Sequence, residues 1–166
     1  MKEKEKTWRR DPFLLLSLAL VLLIMAVIFR FSSQSREQSG ETSGRVDNIF
    51  ISWLCPDFDR LSEEEQEVLS FRVDLIVRKT AHLLEFAALG FALRLHLQAL
   101  SRWRPIRRPQ LLAWGIGKFY AATDELHLVF TGRAGRLTDV GIDSLGVFLG
   151  ILFYLLCAAL LRKKKA

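Results

Sequence analysis

The chain has 166 residues, room for one domain, and carries 51% hydrophobic residues, 25% charged residues and a formal charge of +6. Its basic residues collect at Lys2, Lys4, Lys6, Arg9 and Arg10, at Arg102, Arg104, Arg107 and Arg108, and at Arg162, Lys163, Lys164 and Lys165. Each cluster flanks an apolar run, which argues against a nucleic-acid surface and for the cytoplasmic flanks of membrane helices. Two cysteines, Cys55 and Cys157, have neither the number nor the neighbours of a disulfide framework, a zinc site or a reactive thiol.

The run from Phe13 to Phe29 has no charge, proline or glycine, and predicts a first membrane helix over about 13–31. It is longer than the apolar core of a secretory signal, and Ile28-Phe29-Arg30-Phe31 offers no small-residue cleavage site, so the helix is expected to be retained. An acidic connection over 32–79 follows. Its serine and glycine tract, from Ser32 to Gly44, reads as a helix terminus and loop. Val46, Ile49, Phe50, Trp53 and Leu54 then share one helical stripe that ends at Cys55-Pro56. Ser62 and Glu65 form the pattern of a capping box before Val68, Leu69, Phe71, Leu75 and Ile76. Both pieces read as amphipathic outer segments, lying on the bilayer or roofing the bundle.

Three more membrane helices are expected, over about 80–100, 111–130 and 137–161. Arg94 and His96 fall near the basic loop, where long side chains can snorkel to the interface. Lys118 lies near the middle of the third helix. The chain thus reads as a single all-α membrane domain over 1–166, with four crossings and both termini cytoplasmic.

That topology gathers most of the intramembrane charge at one face. Helix two opens with Lys79, His82 and Glu85, helix three closes with Asp124, Glu125 and His127, and helix four opens with Asp139 and Asp143 after the turn bearing Arg133 and Arg136. If the helices alternate, all ten lie toward the outer leaflet. Charges at such depth are costly, so they line a cavity or pathway or pair with one another. On the last helix the aspartates continue into Gly146 and Gly150, whose spacing favours close helix contact and turns the acids inward.

The same donors admit two chemistries. Two imidazoles and several carboxylates suit a divalent metal, yet no His-Glu-x-x-His pair is present and the ligands would come from three helices. An ion network of the acids with Lys79, Arg133 and Arg136 is the favoured reading, and no cofactor is expected. The two arginines could also grip a phosphate or carboxylate through their forked donors.

These residues resemble the VanZ-like family of bacterial membrane proteins. The resemblance rests on Phe31-Ser32-Ser33-Gln34-Ser35, Lys79-x-x-His82-x-x-Glu85-Phe86, Asp124-Glu125-x-His127, Phe130, Gly132-Arg133, and Asp139 with Gly146 and Gly150. The chain departs from the family's usual form at His127, where glutamine is common, and near Asp143 and Ser144, where asparagine is common. The resemblance implies a four-helix protein of the bacterial cytoplasmic membrane and a context of low-level tolerance to the glycopeptide teicoplanin. Three roles are expected in descending order. The first is binding of an anionic headgroup, a cell-wall precursor or a lipoglycopeptide. The second is an enzyme acting on a lipid-linked substrate, for which no nucleophile elbow, phosphate loop or thiol speaks. The third is a small transporter, suggested by Lys118 beneath the acidic pair.

Overall fold

A computed structural model describes residues 11–34, 36–130 and 137–163. Five α-helices account for nearly all of them: α1 (Pro12–Ser32), α2 (Arg36–Leu54), α3 (Glu63–Leu100), α4 (Pro109–Phe130) and α5 (Leu137–Lys163), with a 3₁₀ turn at Phe58–Arg60. No strand occurs among the described residues. Pro12–Ser32, Glu63–Leu100 and Thr138–Lys163 are long and apolar enough to cross a membrane. The fourth expected crossing, α4, falls outside that set; Lys118, Asp124 and Glu125 dilute its apolar character.

The start of α1 shows how the sequence sets an end. Asp11 accepts hydrogen bonds from the amides of Phe13 (3.0 Å) and Leu14 (3.3 Å), while Pro12 occupies the first turn, where its missing N–H is not needed. Asp11 also accepts a bond from the indole nitrogen of Trp103 (2.9 Å), tying this end of α1 to the α3–α4 connection. That indole bond, aided by the α1 amides, holds the Asp11 carboxyl below its ordinary pKa. Leu14, Ser17, Val21, Ile28 and Ser32 form the buried stripe of α1, while Leu16, Leu22 and Leu23 face outward.

Two expectations about the connection change. The part of the serine and glycine tract from Ser39 to Gly44 belongs to α2, which begins at Arg36, while Ser32 ends α1. Its intrinsic helix propensity is poor, but α2 packs on α3 through buried Asp47 and Ile51, and such packing outweighs propensity. Its apolar stripe of Val46, Ile49, Phe50, Trp53 and Leu54 is exposed, and Trp53 is 81% so. The piece beginning at Ser62 does not end before the membrane segment: both form one helix of 38 residues, about 57 Å long. No proline or glycine interrupts it before Gly90, and the Arg78–Asp74 bridge (2.8 Å) lies along the turn just before the expected boundary. The capping box stands as expected, with the Glu65 amide donating to Ser62 Oγ (3.4 Å) and the Ser62 amide to Glu65 Oε2 (3.0 Å). Bonds from the Ser62 hydroxyl and amide keep the Glu65 carboxyl below its usual pKa.

The α3 helix is the hub, packed by α1, α2, α4 and α5, and its contact with α5 is the most extensive. Between apolar helices in lipid, association rests on close van der Waals contact rather than on expulsion of water. Glycine provides that closeness here. A methyl group at Gly146 would stand 2.5 Å from the Leu83 carbonyl oxygen, and one at Gly150 would collide with the Ala87 carbonyl. Gly90 makes the reciprocal approach, against the backbone of Val147. Phe86, Leu89, Val147 and Ile151 fill the seam, with Ala113 and Ala121 of α4 beside them.

Candidate functional site

The last turn of α1, the first membrane turns of α3, the end of α4 and the start of α5 meet at the end of the bundle away from the termini. Their polar groups face one another. Ser32 Oγ, 1% exposed, donates to Asp124 Oδ2 at 2.6 Å. Ser33 donates to the Phe29 carbonyl (2.7 Å), closing the end of α1, and its hydroxyl oxygen lies 3.3 Å from His127 Nε2. The His127 ring stacks on Phe29, with centroids 4.8 Å apart. The α1 and α4 helices are therefore joined side by side through two serines.

A second join links α3 to α5. Lys79 Nζ lies 2.6 Å from Asp139 Oδ1, with both side chains about one-third exposed at 35% and 32%. One turn further in, His82 Nδ1 and Glu85 Oε2 are 3.9 Å apart along α3. Asp143, one turn beyond Asp139, is buried and feels the charges of Asp124, Glu125, Asp139 and Glu85. Asp124 and Glu125 are likewise buried. Five carboxylates from three helices thus share one volume. Helical spacing explains the inward set: Asp139 and Asp143 are four apart and run directly into Gly146 and Gly150, whose contacts fix that face against α3.

Eight of the ten expected residues, Lys79, His82, Glu85, Asp124, Glu125, His127, Asp139 and Asp143, lie at this end. His127 sits at its α1 edge. Arg133 and Arg136, with the turn that carries them, lie outside the described residues. The favoured ion network is represented by the Lys79–Asp139 pair. Among the described residues, no group of three or more histidine, cysteine, aspartate or glutamate side chains is arranged to hold a metal ion. The residues not singled out as site members were Ser32, Ser33 and Tyr120. Tyr120 donates to the Met25 carbonyl (2.6 Å) and its ring lies 6.1 Å from that of Phe86, so it fixes α1 and α4 just beneath the acids. The Phe31–Ser35 motif already marked the serines; their partners could not be read without the helix pairing.

Two polar residues elsewhere depart from expectation. Arg94 does not snorkel: it is 7% exposed, donates twice to Gln98 Oε1 (3.1 Å each) and lies 4.9 Å above the Tyr154 ring. The tight α3–α5 seam encloses it, and the aromatic face and amide offset part of the cost of burial. His96 turns toward α1, with Nδ1 3.0 Å from Ser17 Oγ. Lys118 is exposed, two turns along α4 from Glu125, and its Nζ lies 5.1 Å over the Trp114 ring, one turn away.

The sequence matches the VanZ/LLP1 family over residues 17–158, from the buried stripe of α1 to the last turns of α5. The chain belongs to the VanZ/LLP1 family. Its membrane-crossing helices make this VanZ-like chain a membrane protein. No curated protein and no solved structure matches the chain.

Proposed function

We propose that this VanZ-like chain is a four-crossing protein of the bacterial cytoplasmic membrane that binds the polar head of an envelope molecule at its outward end. The molecule is a lipid headgroup, a cell-wall precursor or a lipoglycopeptide. Both termini lie on the cytoplasmic side, in keeping with the basic residues beside them. The α4 helix forms the fourth crossing; its 22 residues span about 33 Å, and it turns Asp124 and Glu125 inward.

The observation that carries the reading is the convergence of Ser32, Asp124, Lys79, Asp139, Glu85 and Asp143 from four helices at one end of the bundle. Lys79 is neutralised by Asp139, so Arg133 and Arg136 supply the positive charge for an anionic group. The carboxylates, in excess, suit the hydroxyl and ammonium groups that such molecules also carry. Glycopeptide tolerance of the teicoplanin type follows if the bound molecule is the drug or its membrane-linked target.

Cells expressing the chain are compared with cells expressing Arg133→Ala or Asp124→Asn at equal membrane abundance. Teicoplanin tolerance is expected to fall to the level of cells lacking the protein. Unchanged tolerance in both variants overturns the assignment.

A further inference from the structure

On the flank of α3 away from the acids, a groove of about 470 Å³ runs between α1 and α5. Its floor is α3, from Leu83 to Ala92, and its walls are Leu20 and Ile24 on one side and Leu149, Gly150 and Phe153 on the other. Every lining residue is hydrophobic or glycine. Two features leave it unfilled by the protein itself. Ala87 and Ala88 are too short to occupy it, and Gly150 is held to a hydrogen atom by its contact with the Ala87 carbonyl.

We infer that this groove seats one acyl chain of a membrane glycerophospholipid. The groove opens onto the outward apolar surfaces of α1 and α5, where Leu16, Leu23, Leu152 and Leu156 are exposed, so it is reached from within the bilayer. From Leu83 to Ala92 it runs nine residues along α3, about 13.5 Å. That is close to the roughly 15 Å depth of one leaflet, half the hydrocarbon core. Its deep end is marked by Phe91 and Phe153, whose rings lie 5.9 Å apart. The chain enters from the end of the bundle that holds the acids and stops near mid-membrane. In that position it packs between α1 and α5 as a side chain would, replacing contacts that the alanines do not make. The inference is independent of the headgroup site, which lies across α3.

The test uses the full chain in nanodiscs containing phosphatidylglycerol with a photoactivatable diazirine near the tip of one acyl chain. After illumination, labelled peptides are mapped by mass spectrometry. The expected result is several-fold enrichment of label on the groove residues of α3 and α5 over the equally apolar outer face of α1. Ala88→Trp, from an exposed position on the groove floor, abolishes the enrichment while the helical circular dichroism is kept. Should that variant fail to fold, Leu84→Trp, at a site 63% exposed, serves in its place. Even labelling around the bundle, or enrichment that survives both substitutions, overturns the inference. Asp124→Asn leaves the labelling unchanged if the groove acts alone, so loss of headgroup binding and loss of the chain seat are read separately.

Discussion

The two ends of the bundle bury polar groups to similar extents and do different things with them. At the end that carries the termini, Arg94 is as enclosed as Asp124 is at the other, at 7% and 4% exposure. Yet Arg94 is met by an amide and an aromatic ring, and its neighbour His96 by a single hydroxyl. At the opposite end, carboxylates from α3, α4 and α5 face one another with one described lysine beside them. Burial of charge alone does not identify a site. Convergence of like charges from separate helices, which costs free energy unless something else is bound or paired there, is the better sign.

The buried stripe of α1 reaches both ends and makes the comparison testable. The largest effect removes both ends together: Gly150→Leu forces a side chain into the Ala87 carbonyl and should cost about 3 kcal/mol in thermal unfolding in detergent. Gly141→Ala, on the same helix but with nothing within 4 Å, should instead stabilise by about 0.5 kcal/mol. Next come the two serines. Ser32→Ala removes a hydroxyl that donates to the buried Asp124 carboxylate and should cost about 2 kcal/mol, whereas Ser17→Ala, whose hydroxyl lies between the Leu14 carbonyl and the His96 imidazole, should cost about 1 kcal/mol. Equal losses would mean that the ends are electrostatically alike.

Lys118→Leu sharpens the contrast from the outside. Being exposed, it should change unfolding by less than about 0.5 kcal/mol and leave teicoplanin tolerance intact. A lost phenotype would place α4's outer face in the function. The smallest effect is at Asp11. Its folded pKa is lowered, so its contribution is present above the unfolded value and fades as pH falls through the folded one. Trp103→Phe should raise the Asp11 pKa toward the ordinary carboxylate range, as read by NMR titration, and narrow that dependence.

Much of this was legible in residue order. Apolar length placed α1 within one residue of its observed ends, and the Ser62–Glu65 box marked the start of α3. Alternating helix direction grouped the acids, because no contact needs to be known to tell which ends of a hairpin are neighbours. The continuity of α3 was hidden by a change in its environment: the amphipathic half and the membrane half differ in composition but not in backbone. Arg94 was misread because its depth was clear and its direction was not. Facing depends on which helix covers it, and Tyr154 lies 60 residues away in the chain.

Because α3 is unbroken, the face that buries Val73 and the face that presents His82 are locked in rotational phase. Inserting one alanine after Ile76 would swing α2 about 100° around the bundle without touching a single membrane contact, while inserting four would bring it back to within about 40°. Such phase-shifted chains would separate what α2 contributes from what the buried acids contribute.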